Sequence, residues 1–286
     1  MLPTSSASEP ARRRPRRVLA ALCLAAAALL AGFHFAVEPR TDRAWSPDMA
    51  VLPAAEIRGD TVRVRGVRNA EYRTTEDYTV RWEDRTVRLD RLESVWFLVE
   101  PFSDVRGPAH TMVSFGFTDG QYLAISVELR RERGEHFNPL LGMLRRYELA
   151  YVVGDERDLV RLRTNFRRDD VYLYPVRATA EQRRTMLLDM LARANGLRTR
   201  PEFYNTVTNN CTTNIARHVN AIAPGKVPLG WQMVLPAYTD ELAHELGLLD
   251  TDLPLAEARA RHHINARALQ WGDSPDFSRR IREPAS

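Results

Sequence analysis

Apolar and polar positions alternate with period two through the first half of the chain. Val62 and Val64 alternate with arginines, as do Val80 with Trp82 and Val87 with Leu89, and each pattern predicts a short strand. Residues 95–99 form a continuous apolar run, as in a strand covered on both faces. Two alternating stretches, 110–117 and 121–129, flank Thr118-Asp119-Gly120 and predict a hairpin. Further strands are expected over 147–153, 159–163 and 171–176.

The hairpin's register follows from burial. A two-residue Asp119-Gly120 loop mixes apolar and polar side chains on both faces. A three-residue loop with Gly120 left-handed pairs Phe115 with Leu123 and Val113 with Ile125 on one face. The other face then carries Ser114 with Ala124, Met112 with Ser126 and His110 with Glu128.

The second half changes to helical period. Thr179 and Gln182 form a capping box, and Met186, Leu187, Met190, Leu191 and Ala194 make one apolar stripe that Gly196 should end. A second helix should open near Cys211 and stop at Pro224-Gly225. A third should run from Thr239 as N-cap to Gly247, and one more over 259–269. These elements predict an α+β fold, an antiparallel sheet packed against a few helices.

The longest apolar run is N-terminal. Arg12, Arg13, Arg14, Arg16 and Arg17 precede an uncharged stretch from Val18 to Val37. Twenty residues at about 1.5 Å each span roughly a bilayer's hydrocarbon core, so one transmembrane helix is expected, with the arginine side cytoplasmic. The expected organisation is a cytoplasmic basic segment (1–17), an inner-membrane anchor (18–37), a linker (38–60), a periplasmic globular domain (61–250) and a tail (251–286). The net charge of +4 does not change this picture. Residues 1–40 carry all of it, and the remaining 35 basic and 35 acidic side chains cancel. Nucleic acid is therefore not an expected partner.

The candidate chemistry centres on Cys211. In Asn209-Asn210-Cys211-Thr212-Thr213-Asn214, Asn209 or Asn210 is a suitable N-cap, so Cys211 falls in the first helical turn. Partial positive charge and free N–H groups there favour a thiolate and offer an oxyanion site. A bland structural cysteine at a helix start is the competing reading. His218 lies two turns along the same helix, about 10 Å away by rise and too far to be the partner. His136, His244, His262 and His263 sit in polar stretches. His110 is the candidate base, and Glu128, its neighbour across the hairpin, the candidate orienting carboxylate. One cysteine with scattered histidines shows no metal-ligand spacing, and no cofactor is expected.

Several segments resemble a known family. Arg81-Trp82-Glu83-Asp84-Arg85, the run from Ala109-His110-Thr111 to Glu128, Tyr151-Val152-Val153-Gly154-Asp155, Asp170-Val171-Tyr172-Leu173-Tyr174 and Asn209 to Asn214 resemble the Lnb N-terminal periplasmic domain over roughly 65–250. More distantly, the order strand histidine, polar residue, Asn-Cys opening a helix is similar to circularly permuted papain-like proteins of the lecithin:retinol acyltransferase type. That likeness implies a catalytic set of Cys211, His110 and Glu128, supported by Asn209, Asn210 and Asn214, with Ser126 the substitute for Glu128.

The expected function is a membrane-anchored thiol hydrolase or acyltransferase. It would act on an amide or ester of a cell-envelope peptide, peptidoglycan or lipid acyl group. The alternative is a non-catalytic envelope domain that binds a ligand or protein. Distance and exposure of Cys211 and His110 discriminate the two.

Overall fold

The computed structural model describes residues 13–102 and 106–283. The chain divides into two units, Met1–Pro39 and Arg40–Ser286. Within the first, residues 13–36 form helix α1 (Arg13–Ala36). The expected basic segment lies outside the described residues as far as position 12.

The anchor expected over 18–37 is corrected: among the described residues no helix is long and apolar enough to cross a membrane. Helix α1 opens in arginines and is rich in alanine, whose single methyl presents little apolar surface per residue. The inner-membrane, single-pass location and the membrane contact through 18–37 rested on that anchor and fall with it.

The second unit is built on one mixed sheet. Its strands are β1 (Ala54–Arg58), β2 (Thr61–Arg68), β5 (Trp82–Arg88), β6 (Leu92–Pro101), β7 (Ala109–Phe117), β8 (Tyr122–Arg130), β9 (Glu148–Gly154) and β10 (Tyr172–Pro175). A separate two-stranded ribbon pairs β3 (Glu71–Tyr72) with β4 (Tyr78–Thr79). The main order is β1-β2-β9-β8-β7-β6-β10, with β5 also on β2. All pairings are antiparallel except β2 with β9, which meet in parallel at Arg68 and Gly154. The expected all-antiparallel sheet is thus a mixed one. The segment expected as a linker, 38–60, contributes β1 and buries Trp45 and Met49.

The central hairpin has the three-residue loop. Ser114 faces Ala124, Val113 faces Ile125, and Met112 faces Ser126. The Phe117 N–H donates to the Gln121 carbonyl at 3.0 Å, and Gly120 turns the chain at φ 82°. That left-handed conformation suits glycine, which has no Cβ to clash.

Helices cover both faces. They are α2 (Pro139–Met143), α3 (Glu156–Arg161), α4 (Ala180–Thr199), α5 (Cys211–Ile222), α6 (Thr239–Glu245), α7 (Leu255–His262), α8 (Asn265–Trp271) and α9 (Phe277–Arg280). On one face Val113 and Phe115 of β7 pack with Leu187 of α4 and Ile215 of α5. On the other, Met112 of β7 packs with Val160 of α3, Ala268 of α8 and Phe277 of α9. Successive strand residues point to opposite faces, so this split fixes the direction of every β7 side chain.

Local details differ where capping overrides pattern. Residues 159–163, expected as a strand, are helical, because Asp155 caps α3 by accepting from the Arg157 N–H at 2.8 Å. The coil then widens into a π-helical stretch, Leu162–Arg167. Helix α4 runs past Gly196 to Thr199. Thr239 is the first residue of α6 rather than its cap. The tail helix expected over 259–269 is two helices, α7 and α8, broken at His263.

Candidate functional site

A cleft of about 620 Å³ opens at the end of β7 and β8. Its lining includes every member of the expected catalytic set, Cys211, His110 and Glu128. Asn210 also lines it, and Asn209 and Asn214 stand behind. Along β7, the residue that neighbours the sulfur, Thr111, and the candidate base, His110, alternate between the two faces of the strand.

Cys211 opens α5 on the side of Thr111, Val113 and Phe115. Asn210 is the N-cap, accepting from the Thr213 N–H at 2.8 Å, and its Nδ2 donates to the carbonyls of Thr206 and Met233. Asn214 donates to the Asn209 side chain at 3.0 Å and to the Asn210 carbonyl at 2.8 Å. These contacts hold the helix start rigidly. Cys211 is 5% exposed, and its sulfur lies 3.7 Å from the Thr212 hydroxyl. Thr111 and Thr212 are themselves linked at 3.2 Å. Burial pushes the Cys211 thiol up, against smaller opposing contributions from Thr111 and Thr212. The thiolate expected from the helix N-terminus is therefore disfavoured.

His110 belongs to the opposite side, with Met112 and Ser114. Its Nε2 lies 2.6 Å from the Ser126 Oγ and 3.4 Å from Glu128. Ser126 donates to Glu128 at 2.6 Å. Arg163 donates to Glu128 at 2.9 Å and to Glu100 at 2.5 Å, and Arg167 stands 3.5 Å from Glu100. The π-helical stretch carries both arginines, at i and i+4, toward Glu100. Glu100 faces His110 across the β6–β7 ladder.

The electrostatics commit these groups to one another. Burial pushes the His110 imidazole down to about 4, with Glu128 opposing and Arg163 and Arg167 reinforcing, so the ring is neutral at pH 7. Burial acts to raise the Glu128 carboxyl, but His110, Arg163 and the Ser126 hydrogen bond hold it below the ordinary carboxylate range. Burial pushes Glu100 up to about 7, against the pull of Arg163 and Arg167.

The catalytic reading is thereby corrected. Among the described residues Cys211 has no hydrogen bond to an imidazole, and strand alternation sets Thr111, which neighbours the sulfur, and His110 on opposite faces. With the thiol buried and the His110 Nε2 engaged by Ser126 and Glu128, the described residues hold no hydrogen-bonded pair of thiol and imidazole. Among the described residues no group of three or more His, Cys, Asp or Glu side chains could hold a metal ion.

Sequence reasoning brought His110 and Glu128 together but missed Glu100, Arg163 and Arg167. The available signal was Glu100 at the end of the 95–99 apolar run, a charge closing a buried strand. His218 was also missed as a buried residue. It bridges Asp189 of α4 at 2.6 Å and the Tyr151 hydroxyl at 2.7 Å, fastening α5 to its neighbours.

Most of the cleft's remaining lining is apolar, with Asp48, Arg68, Arg131 and Thr206 the polar exceptions. Phe102, Phe137, Leu162, Tyr204, Val234 and Pro236 surround the ionic floor, with Phe102, Phe137 and Val234 exposed at its rim. Comparison with known proteins gives one match. The model of a family described as the Lnb N-terminal periplasmic domain matches residues 78–237, a span holding β5 through α5 and every candidate catalytic residue, though not Asp48, Met49 and Arg68 of the cleft. No curated protein and no solved structure matches the chain.

Proposed function

This chain belongs to the Lnb N-terminal periplasmic domain family, and we propose that it serves as a non-catalytic domain of the cell envelope that binds an amphipathic ligand in the cleft between β7, β8 and α5. The observation that carries this reading is the division of the cleft into an apolar wall and a neutralised ionic floor. A volume of about 620 Å³ lies within the usual range for ligand pockets, roughly 300–1,000 Å³. Its walls suit hydrocarbon. Its floor, with His110, Glu128, Arg163 and Arg167, suits the polar end of the same molecule. The periplasm is the compartment that the family's description suggests.

The likeness to circularly permuted papain-like proteins is, in this reading, one of scaffold. An Asn-Cys pair opens a helix against a sheet strand here too, but the sulfur's hydrogen-bonding neighbours are threonines. Thiol chemistry is not part of the proposed activity.

Thermal melting with two probes tests the proposal: muropeptides from digested peptidoglycan, and a lysophospholipid below its micelle concentration. One probe should raise the melting temperature of the wild type and of Cys211→Ser alike. Val234→Trp, which fills the cleft mouth, should lose the effect. Stabilisation by neither probe overturns the reading, as does conversion of a probe to product that Cys211→Ser abolishes.

A further inference from the structure

A second cavity lies deep between the sheet and helices α4, α5 and α6, away from the ionic floor of the cleft. It measures about 110 Å³ and is lined by Val95 and Val113 of the sheet, Met186 of α4, Ile215 and Val219 of α5 and Leu242 of α6. The first turn of α5 separates the two spaces: Asn210 and Cys211 line the cleft, whereas Thr212 lines this cavity. Three apolar clusters border it without merging. Val113, Met186 and Ile215 belong to one, Ala216, Met233 and Leu242 to a second, and Ala243 and Leu249 to a third. Protein interiors pack with few voids, so an apolar space at the meeting of three clusters is a departure from close packing.

One end of the cavity is polar. Arg177, Gln182 and Arg183 supply this polar lining, and the exposure of Arg177 marks it as the mouth. The Nε of Arg183 is buried and has no hydrogen-bond partner. Its Nη1 donates to the Ala178 carbonyl at 2.6 Å, and among the described residues no carboxylate pairs with it. A guanidinium with a buried N–H free of any protein partner, beside an apolar space and without a carboxylate of its own, is suited to receive one. Arg177, at the same mouth, is held by Asp250 and Asp252 at the exposed surface and leaves Arg183 as the available cation.

We propose that this cavity is a binding site for a short- to medium-chain fatty acid, with the hydrocarbon among Met186, Ile215, Val219 and Leu242 and the carboxylate on Arg183. The volume suits this occupant. An apolar cavity of about 150 Å³ holds benzene, so about 110 Å³ holds the end of a short alkyl chain, with its remainder toward the mouth. The guanidinium plane matches a carboxylate and fixes the polarity of entry. The site is separate from the cleft, and the two are tested apart.

The experiment is isothermal titration of the full chain with octanoate and with octanol. Octanoate should bind saturably. Val219→Phe, which fills the cavity, should abolish that binding and raise the melting temperature. Arg183→Met should weaken octanoate about tenfold, the value of one charge-assisted hydrogen bond, and change octanol less than about twofold. Val234→Trp, in the cleft, should leave octanoate binding unchanged. Ala223→Leu, in the same lining, serves as the filling variant if Val219→Phe shows no cooperative melt. Absence of saturable octanoate binding overturns the proposal. So does binding that survives the filling variant, is lost in Val234→Trp, or falls equally for octanoate and octanol in Arg183→Met.

Discussion

At the residue scale, Cys211 sets two opposed influences against each other. The first turn of a helix stabilises a thiolate by a fraction of an elementary charge, and that effect is strong only where the sulfur is also solvated or paired with a cation. Here Cys211 is 5% exposed, its hydrogen-bonding neighbours are neutral threonines and the Glu128 charge acts in the same direction as burial, so burial wins. Iodoacetamide should therefore alkylate the native protein at pH 7.5 at least about 100-fold more slowly than the urea-unfolded chain. Comparable rates would mean the thiol is open and ionised. Glu100 and His110 make a second residue-scale case, because their shifts oppose one another. His110 has a folded value of about 4 and an ordinary one of 6.5, so its contribution to stability is lost as pH falls through that window. Glu100 has a folded value of about 7 against 4.5, so its contribution is present at low pH and lost as pH rises toward 7. Between pH 5 and 7 the two nearly cancel. Glu100→Gln should unmask the histidine, so that stability to urea rises by about 2 kcal/mol more from pH 5 to 7 than in the wild type. An unchanged pH slope would show that the two groups do not titrate against folding.

At the element scale, the opening of α5 rests on Asn210. Its side chain caps the Thr213 N–H and satisfies two loop carbonyls, from Thr206 and Met233. Asn210→Ala should cost about 1–2 kcal/mol in urea unfolding, with early hydrogen exchange in the first turn of α5 and in 229–235. A loss confined to α5 would show that the loop stands without it. This helix start was legible from the residue types, since an asparagine before a helical apolar stripe has a local reason to cap. The β7–β8 register was legible for a similar reason: sliding by one residue would have moved Phe115 and Ile125 out of the core. The face met by each catalytic candidate was not legible. Periodicity tells which residues of a strand share a side, but not which side a helix a hundred residues later will cover. The stretch 159–163 failed for a local reason, because Leu159 and Val160 suit strand or helix and the deciding residue, Asp155, lies outside the run. Arg163 closed that misassigned segment, and Arg167 lay one helical turn beyond it.

At the scale of the whole molecule, the family match ends at residue 237, yet the core does not. Beneath Met112 and Ala124 of the central hairpin lie Ile264, Ala268, Phe277 and Ile281, all from beyond that limit and all under 2% exposed. Arg282 reaches further in. Its guanidinium binds Glu156 and approaches Ser114 at 3.4 Å, while its plane covers Tyr122 at 4.0 Å. The tail is therefore the layer that closes the second face of the sheet and buries the floor on which His110 and Arg163 stand. On the N-terminal side, β2 supplies Arg68, which is buried against Asp158 at 2.8 Å and ties the sheet to α3. A fragment limited to 78–237 lacks both, and would expose the apolar face of β7 and β8 while leaving Asp158 buried without its cation. It should behave as a collapsed state, with far-ultraviolet dichroism but no near-ultraviolet signal and no cooperative urea transition. The chain from Arg40 should unfold in one step. Within it, Phe277→Ala should cost about 3–5 kcal/mol, the scale for removing a buried aromatic ring from a packed core. A cost under about 1 kcal/mol, or a cooperative 78–237 fragment, would make the tail an appendage, and the cleft floor would then have to be held by the family segment alone.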